Sequence, residues 1–118
     1  MASDWKRTER LAAKACREQW NSTNCRRSAQ VSGTESSDLT DALAGGHAEV
    51  KGYHKIAAAR FLDQAIRDAK PGEVPFVLMK EDRGEFLVLL RMRDSVRFSS
   101  LVLDQISRED YEAVDERN

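Results

Sequence analysis

Two acidic residues and one lysine have the types and the spacing that metal-dependent phosphodiester hydrolysis requires. Ten residues separate Asp38 from Glu49, and Lys51 follows Glu49 after one valine. If residues 47–51 form a strand, Glu49 and Lys51 project from the same face of it. Two carboxylates from separate segments can hold Mg²⁺ while waters and a phosphate oxygen complete its coordination. The metal activates the attacking water, and the ammonium group orients that water or offsets developing charge.

The triplet of an acidic residue, any residue and lysine is a weak signal by itself, because the chain contains two others. These are Asp4-Trp5-Lys6, at the start of a predicted helix, and Asp68-Ala69-Lys70, at the end of another. The triplet at 49–51 follows a glycine pair, has an acidic residue upstream and precedes a helical pattern. Its surroundings therefore favour it as the functional one.

A further carboxylate, Glu9, interrupts the mostly apolar stripe of the first predicted helix. Because an unpaired buried carboxylate is costly, Glu9 either pairs with Arg10 or a later arginine at the edge of the stripe, or points at a bound cation. The adjoining stripe is basic, and residues 5–27 contain seven Lys or Arg against two Glu. Since phosphate binding depends on where cations cluster, this local excess favours contact with nucleic acid.

These features resemble the PD-(D/E)xK nuclease superfamily, and within it the small phage and archaeal Holliday junction resolvases. The resemblance rests on TERLAAKA around Glu9, the polar region at 32–38, AEVKGY at 48–53, a following helix and two apolar strands. It implies a restriction-endonuclease-like α/β fold with a central mixed β-sheet flanked by helices. It also implies a homodimer that cuts four-way DNA junctions with Mg²⁺, for which Mn²⁺ is a substitute.

The resemblance also assigns roles to individual residues. Ser37 stands where the family has a proline before its first Asp, so Asp41 stays a rival to Asp38. The implied metal ligands are Glu9, Asp38 and Glu49, and the implied catalytic lysine is Lys51. Ser32 and Gly33 are implied to lie in a mobile loop near DNA. The residues that we expect to contact DNA are Lys6, Arg10, Lys14, Arg17, Arg26, Arg27, Ser32, Gly33 and Lys55.

The elements that must position these residues follow an α/β pattern. Apolar residues recur with a helical period before the polar run at 21–24 and again before Pro71-Gly72, which ends the second helix. The stretch between residues 32 and 40 is rich in Ser and Thr and is typical of a loop. The predicted elements are a helix over 5–20, strands at 26–31, 38–43 and 47–51, and a helix over 55–70.

The second half of the chain contains two nearly continuous apolar runs, at 74–80 and 85–92, separated by a charged tetrapeptide. Runs of this kind are typical of central strands buried on both faces, and the tetrapeptide favours a hairpin turn. A nuclease-like domain over 1–103 is then followed by an acidic tail over 104–118. The composition of the tail predicts a short helix or a disordered end.

Length and composition limit the alternatives. A chain of 118 residues with a formal net charge of −1 fits one domain, and no apolar run approaches the roughly 18 residues that span a membrane. We therefore expect a soluble protein of the cytoplasm, or of the host cytoplasm if a phage encodes it. Cys16 and Cys25 lack CxxC spacing, so reduced thiols are expected, with Cys16 in the core.

Two functional classes remain open on the sequence. The first is a Mg²⁺-dependent, structure-selective endonuclease, and the second is a noncatalytic DNA-binding or partner-binding module that uses the basic first helix. A narrower form of the first class acts on nicks, flaps or duplex ends rather than junctions. No Ser/His/Asp arrangement, P-loop or dinucleotide fingerprint competes. His47 shares the face of Glu49, and neither histidine supports a zinc mechanism.

Overall fold

The chain is a mixed α/β protein, described by a computed structural model over residues 2–29 and 37–108. Contacts divide it into two compact units, Met1–Lys55 and Ile56–Asn118. The described residues form three α-helices, one short 3₁₀-helix and two separate two-stranded antiparallel sheets. In chain order these are α1 (Ala2–Gln19), β1 (Arg26–Arg27), β2 (Leu39–Thr40), α2 (Ala59–Asp68), β3 (Val77–Met79), β4 (Leu87–Leu89), a 3₁₀-helix (Met92–Asp94) and α3 (Ser95–Arg108).

The first unit is organised around α1, which confirms the first predicted helix. Its buried face repeats with helical spacing through Glu9, Ala13 and Cys16. The helix ends where Asn21 adopts a positive φ of 58°, a conformation that Asn tolerates better than most residues. Against this face lies the small core of the unit, which includes Cys25 and Leu39.

Two of the three predicted strands in this unit are present but short. β1 pairs with β2 in antiparallel register, with Arg26 opposite Thr40 and Arg27 opposite Leu39. The prediction of a regular strand at 47–51 is wrong, because these residues are in no strand. They are instead attached to Asp38 by one backbone bond, from the Asp38 N–H to the Ala48 carbonyl, and one side-chain bond. Because the Val50 N–H bonds to the Asp38 side chain and not to a backbone carbonyl, the regular backbone hydrogen bonds of a strand pair do not continue here.

The helix of the second unit begins later than the sequence pattern predicts. The pattern predicts a helix over 55–70, whereas α2 spans Ala59–Asp68. The preceding turn is closed by a bond of the 3₁₀ type, from the Ala59 N–H to the Ile56 carbonyl at 3.0 Å, so the chain tightens before the α-helix starts. At the other end, Ala69 is extended and ends the helix, two residues before Pro71.

The predicted hairpin is confirmed, but its predicted burial is wrong. β3 pairs with β4 with Val77 opposite Leu89 and Met79 opposite Leu87, and the turn contains Arg83 at a φ of 62°. Leu78 is 58% exposed and Leu87 is 59% exposed, so these are not strands buried on both faces. Apolar runs indicate a central position only when further strands and helices cover both faces, and the described part of this sheet has two strands.

Helix α3 packs against the residues that lead into the hairpin. The rings of Phe76 and Phe98 meet edge to face with centroids 5.1 Å apart, and an Arg97 Nη2 donates to the Gly72 carbonyl at 2.7 Å. The helix continues to Arg108 and so crosses the predicted boundary at 103/104, while the rest of the acidic tail lies outside the described residues. No helix in the described ranges is long and apolar enough to cross a membrane.

Candidate metal and nucleic-acid site

Asp38 is the most firmly held of the predicted site residues. Its carbonyl accepts a hydrogen bond from the Ser28 N–H at 3.0 Å, and its own N–H donates to the Ala48 carbonyl at 2.8 Å. Its carboxylate Oδ2 accepts from the Val50 N–H at 2.7 Å. Asp38 therefore joins the end of β1 to the segment that carries Glu49 and Lys51.

Glu49 and Lys51 are exposed on this segment. The Glu49 Oε1 lies 2.7 Å from the His47 Nε2, which confirms that residues 47 and 49 share a face. Both side chains of this pair are more than half exposed, so the contact is a solvated one and contributes little to stability. It leaves the second oxygen of Glu49 open to solvent or to a ligand.

Asp41, the rival of Asp38, occupies a different environment. Its carboxylate lies 3.4 Å from an Arg26 Nη1, and both side chains are at least 60% exposed. Asp41 also lines an open recess of about 700 Å³ together with Asn21 and Thr40, and Asp38 is not part of that lining. Of the two aspartates, Asp38 is the one bonded to the segment of Glu49 and Lys51.

Glu9 has a cationic partner of its own. Its side chain is 7% exposed, and its Oε1 accepts from the Arg27 Nε at 2.7 Å. The Arg27 guanidinium also lies over the Trp5 ring at 5.4 Å from the ring centroid. Of the two sequence alternatives for Glu9, the structure contains the pairing with a later arginine. Sequence reasoning had no signal that distinguishes Arg27 from the other arginines.

The predicted metal ligands do not form a closed cluster. Across residues 2–29 and 37–108, no group of three or more His, Cys, Asp and Glu is arranged to hold a metal ion. The donors of Asp38 and Glu49 nevertheless suit Mg²⁺, which is bound through one or two carboxylates while it keeps several waters. Asp38 has one carboxylate oxygen beyond the bond to Val50. Mg²⁺ at this place is therefore compatible with the residues present, with Glu9 held by Arg27.

The site segment also touches α1. A methyl group added at Gly52 would lie 2.9 Å from both γ atoms of Thr8 and 3.3 Å from its Cβ. Real Cβ atoms do not approach that closely, and the short, branched Thr8 side chain has little freedom to move away. Gly52 therefore allows the chain directly after Lys51 to lie against the helix that carries Glu9.

We expect Gly52→Ala to destabilise the protein by about 1–2 kcal/mol, because overpacking forces side chains or backbone to shift. Urea unfolding followed by tryptophan fluorescence measures this change. The matched control is Thr8→Ala, which removes the colliding atoms. The double variant should lose less stability than the two single variants together. Strict additivity of the two losses would contradict the contact.

The predicted DNA-binding residues fall into two groups. Arg17, Arg26 and Arg27 have partners within the chain, since Arg17 donates to the Cys25 carbonyl at 2.7 Å and the other two pair with Asp41 and Glu9. The remaining cations are exposed, although Lys14 lies 3.9 Å from Glu18 in a solvated pair. Ser32 and Gly33 lie outside the described residues. The exposed cations of the prediction are Lys6, Arg10, Lys14, Arg17, Arg26 and Lys55, of which Arg17 and Arg26 have the partners given above.

Comparison with known proteins found no match for this chain among family models, curated proteins or solved structures.

Proposed function

We propose that the protein is a Mg²⁺-dependent endonuclease that acts on branched DNA, with Asp38, Glu49 and Lys51 at its centre. The observation that carries the proposal is the hydrogen bond from the Val50 N–H to the Asp38 carboxylate at 2.7 Å. It brings the upstream acidic residue of the motif against the backbone of Val50, which lies between Glu49 and Lys51. Asp38 therefore lies next to the segment that carries Glu49 and Lys51.

In this proposal each side chain has a separate task. Asp38 and Glu49 would hold Mg²⁺, and the metal would supply polarisation of the phosphodiester and a lowered pKa for the attacking water. Lys51 is one residue beyond the bond that Val50 makes, so its ammonium group lies on the same segment and would offset charge on the phosphate. Glu9 would become a third ligand only if its carboxylate were released from Arg27, to which it is bonded at 2.7 Å.

The fold, the substrate and the assembly belong to the same proposal. A restriction-endonuclease-like fold is part of the proposal, and a cytoplasmic homodimer would cut the two opposed strands of a four-way junction. Symmetric cutting needs two sites related by a two-fold axis. The exposed face of α3, on which Val96 and Leu103 lie two helical turns apart at 61% and 64% exposure, supports this assembly because exposed apolar patches mark interaction surfaces.

A second candidate, a noncatalytic DNA-binding module, is favoured by one specific observation. The Glu9 carboxylate is already neutralised by Arg27 at 2.7 Å, which a purely structural role for Glu9 explains without a metal. In that case the exposed cations of α1 would bind phosphates, and the acidic residues would only balance charge.

A cleavage assay separates these functions. Labelled four-way junction and linear duplex of equal length are incubated with the full chain and Mg²⁺ or EDTA. We expect cuts in the junction that require Mg²⁺, and a preference over linear DNA that persists as salt weakens binding to both. Light scattering at micromolar concentration should give the mass of a dimer.

Each other result has a definite meaning. Binding without cleavage of any substrate in Mg²⁺ or Mn²⁺ supports the noncatalytic module. Equal cleavage of junction and linear DNA by a monomer retains the nuclease and excludes the resolvase. Cleavage that continues undiminished in EDTA contradicts the metal mechanism.

A further inference from the structure

Both cysteines of the chain lie buried beside each other, where α1 ends and β1 begins. Cys16 is 4% exposed and Cys25 is 2% exposed, and both are free thiols. Both belong to the small core of the first unit. The sequence has two cysteines in total, so this pair is its entire thiol content. The proposed nuclease chemistry uses neither of them.

The chain between the two cysteines is held tightly. The Ser22 N–H donates to the Cys16 carbonyl at 3.2 Å, and the Cys25 N–H donates back to the Ser22 carbonyl at 2.9 Å. The Arg17 guanidinium donates to the Cys25 carbonyl at 2.7 Å. These three bonds hold the backbone at both cysteines in place in the folded protein.

The same helix and strand form a second contact in register with the first. Glu9 and Cys16 lie on one face of α1, because seven residues are close to two helical turns. Cys25 and Arg27 point to one side of the extended chain, because side chains alternate along a strand. Cys16 therefore meets Cys25 while Glu9 meets Arg27 at 2.7 Å. The helix cannot slide along the strand without breaking both contacts.

We propose that Cys16 and Cys25 are a reversible disulfide site, closed by exchange with a low-molecular-weight disulfide such as oxidised glutathione. One protein thiolate attacks a sulfur of the small disulfide and releases one small thiol. The second protein thiolate then attacks the protein sulfur of that mixed disulfide and releases the second small thiol. The pair loses two electrons and two protons, and the small disulfide gains them as two thiols. A covalent link then joins α1 to β1.

The resting protein holds the pair in the reduced form. Burial raises the pKa of the Cys16 thiol, and the neighbouring Cys25 raises it further, so Cys16 is a thiol rather than a thiolate near neutral pH. Since the thiolate is the nucleophile and both cysteines are buried, the exchange is slow and requires local opening of the chain around the pair. This agrees with the reduced thiols expected from the sequence.

The test uses the full wild-type chain, incubated natively with oxidised glutathione. We expect intact-mass measurement to show the loss of two hydrogen atoms without a glutathione adduct, in a protein that runs as a single chain on a non-reducing denaturing gel. The cross-link should raise the melting temperature by about 5 °C or more, because it restricts the unfolded chain. Dithiothreitol should reverse both changes.

Matched controls are Cys16→Ser and Cys25→Ser, which should take up one glutathione at most and show no rise in melting temperature. The wild-type measurement decides the proposal even if a variant folds poorly. A stable glutathione adduct on the wild type, a disulfide between chains, or two thiols that stay unreacted under prolonged native oxidation would each overturn it.

Discussion

Asp38→Asn is expected to abolish DNA cleavage, with a loss of roughly a thousandfold or more, because metal-assisted charge stabilisation contributes several kcal/mol to such reactions. This substitution removes the charge at residue 38 and preserves its hydrogen bond. The asparagine side chain keeps an oxygen that can accept from the Val50 N–H, as the Asp38 carboxylate does at 2.7 Å, and loses the negative charge. Folding should therefore be retained while activity is lost. Steady-state and single-turnover cleavage rates measure the effect.

Asp41→Asn is the matched control, because Asp41 is an aspartate of the same segment whose exposed carboxylate pairs with Arg26. It should cut at close to the wild-type rate. Glu49→Ala and Lys51→Ala should be inactive, and all three inactive variants should still bind DNA, since affinity comes mainly from separate cations. If Asp38→Asn cuts at the wild-type rate and Asp41→Asn is inactive, the first carboxylate of the motif is Asp41 and not Asp38. Wild-type cleavage by Lys51→Ala would remove the proposed active site altogether.

The second large effect concerns stability. We expect Glu9→Gln to lower the free energy of unfolding by about 2 kcal/mol, because it leaves Arg27 without its ionic partner in a mostly buried position. The expected loss is below that of a fully buried pair, since the Arg27 side chain is 20% exposed and partly screened. A destabilised, active variant would assign Glu9 a structural role. A raised melting temperature with lost activity would instead mark it as a metal ligand relieved of repulsion.

Urea titrations of Glu9→Gln, Arg27→Gln and the double variant measure the coupling between the two positions. Glu18→Gln is the exposed control, because the Lys14–Glu18 pair is 62% exposed on both sides and should change stability by less than about 0.5 kcal/mol. Independent, additive losses at positions 9 and 27 would show that the contact does not contribute. Mg²⁺ titration of the wild type and of Glu9→Gln then tests whether a metal competes with Arg27 for the carboxylate.

The sequence pattern predicted which helices and turns form better than it predicted how deeply each element is buried. The period of α1 and the charged turn between β3 and β4 are local features, so both elements were predictable from sequence. The exposure of Leu78 and Leu87 was not, because a continuous apolar run records how much surface prefers burial and not which neighbour covers it. Likewise, residues 47–51 have strand-like alternation without the backbone partner that a strand needs.

The candidate site shows the same division. The structure places Asp38 in a hydrogen bond with Val50, between Glu49 and Lys51, while the role of these residues as a motif stays a prediction. The partner of Glu9 was open, since Arg27 is separated from it by 18 positions and several arginines could have served. The sequence indicated Arg10 or a later arginine as the partner of Glu9. The packing of α1 against β1 determines that this partner is Arg27.

The hydrogen bond from the Val50 N–H to the Asp38 carboxylate places an evolutionary constraint on that position, since the other two bonds of Asp38 use its backbone. Asparagine keeps the bond to Val50 but not the charge, glutamate keeps the charge but moves the carboxylate outward by a methylene, and alanine keeps neither. In the proposed site, aspartate is the residue that meets both the folding and the metal requirement, whereas the exposed side chains of Glu49 and Lys51 could change at little structural cost. Asparagine is the substitution that would separate stability from activity at this position.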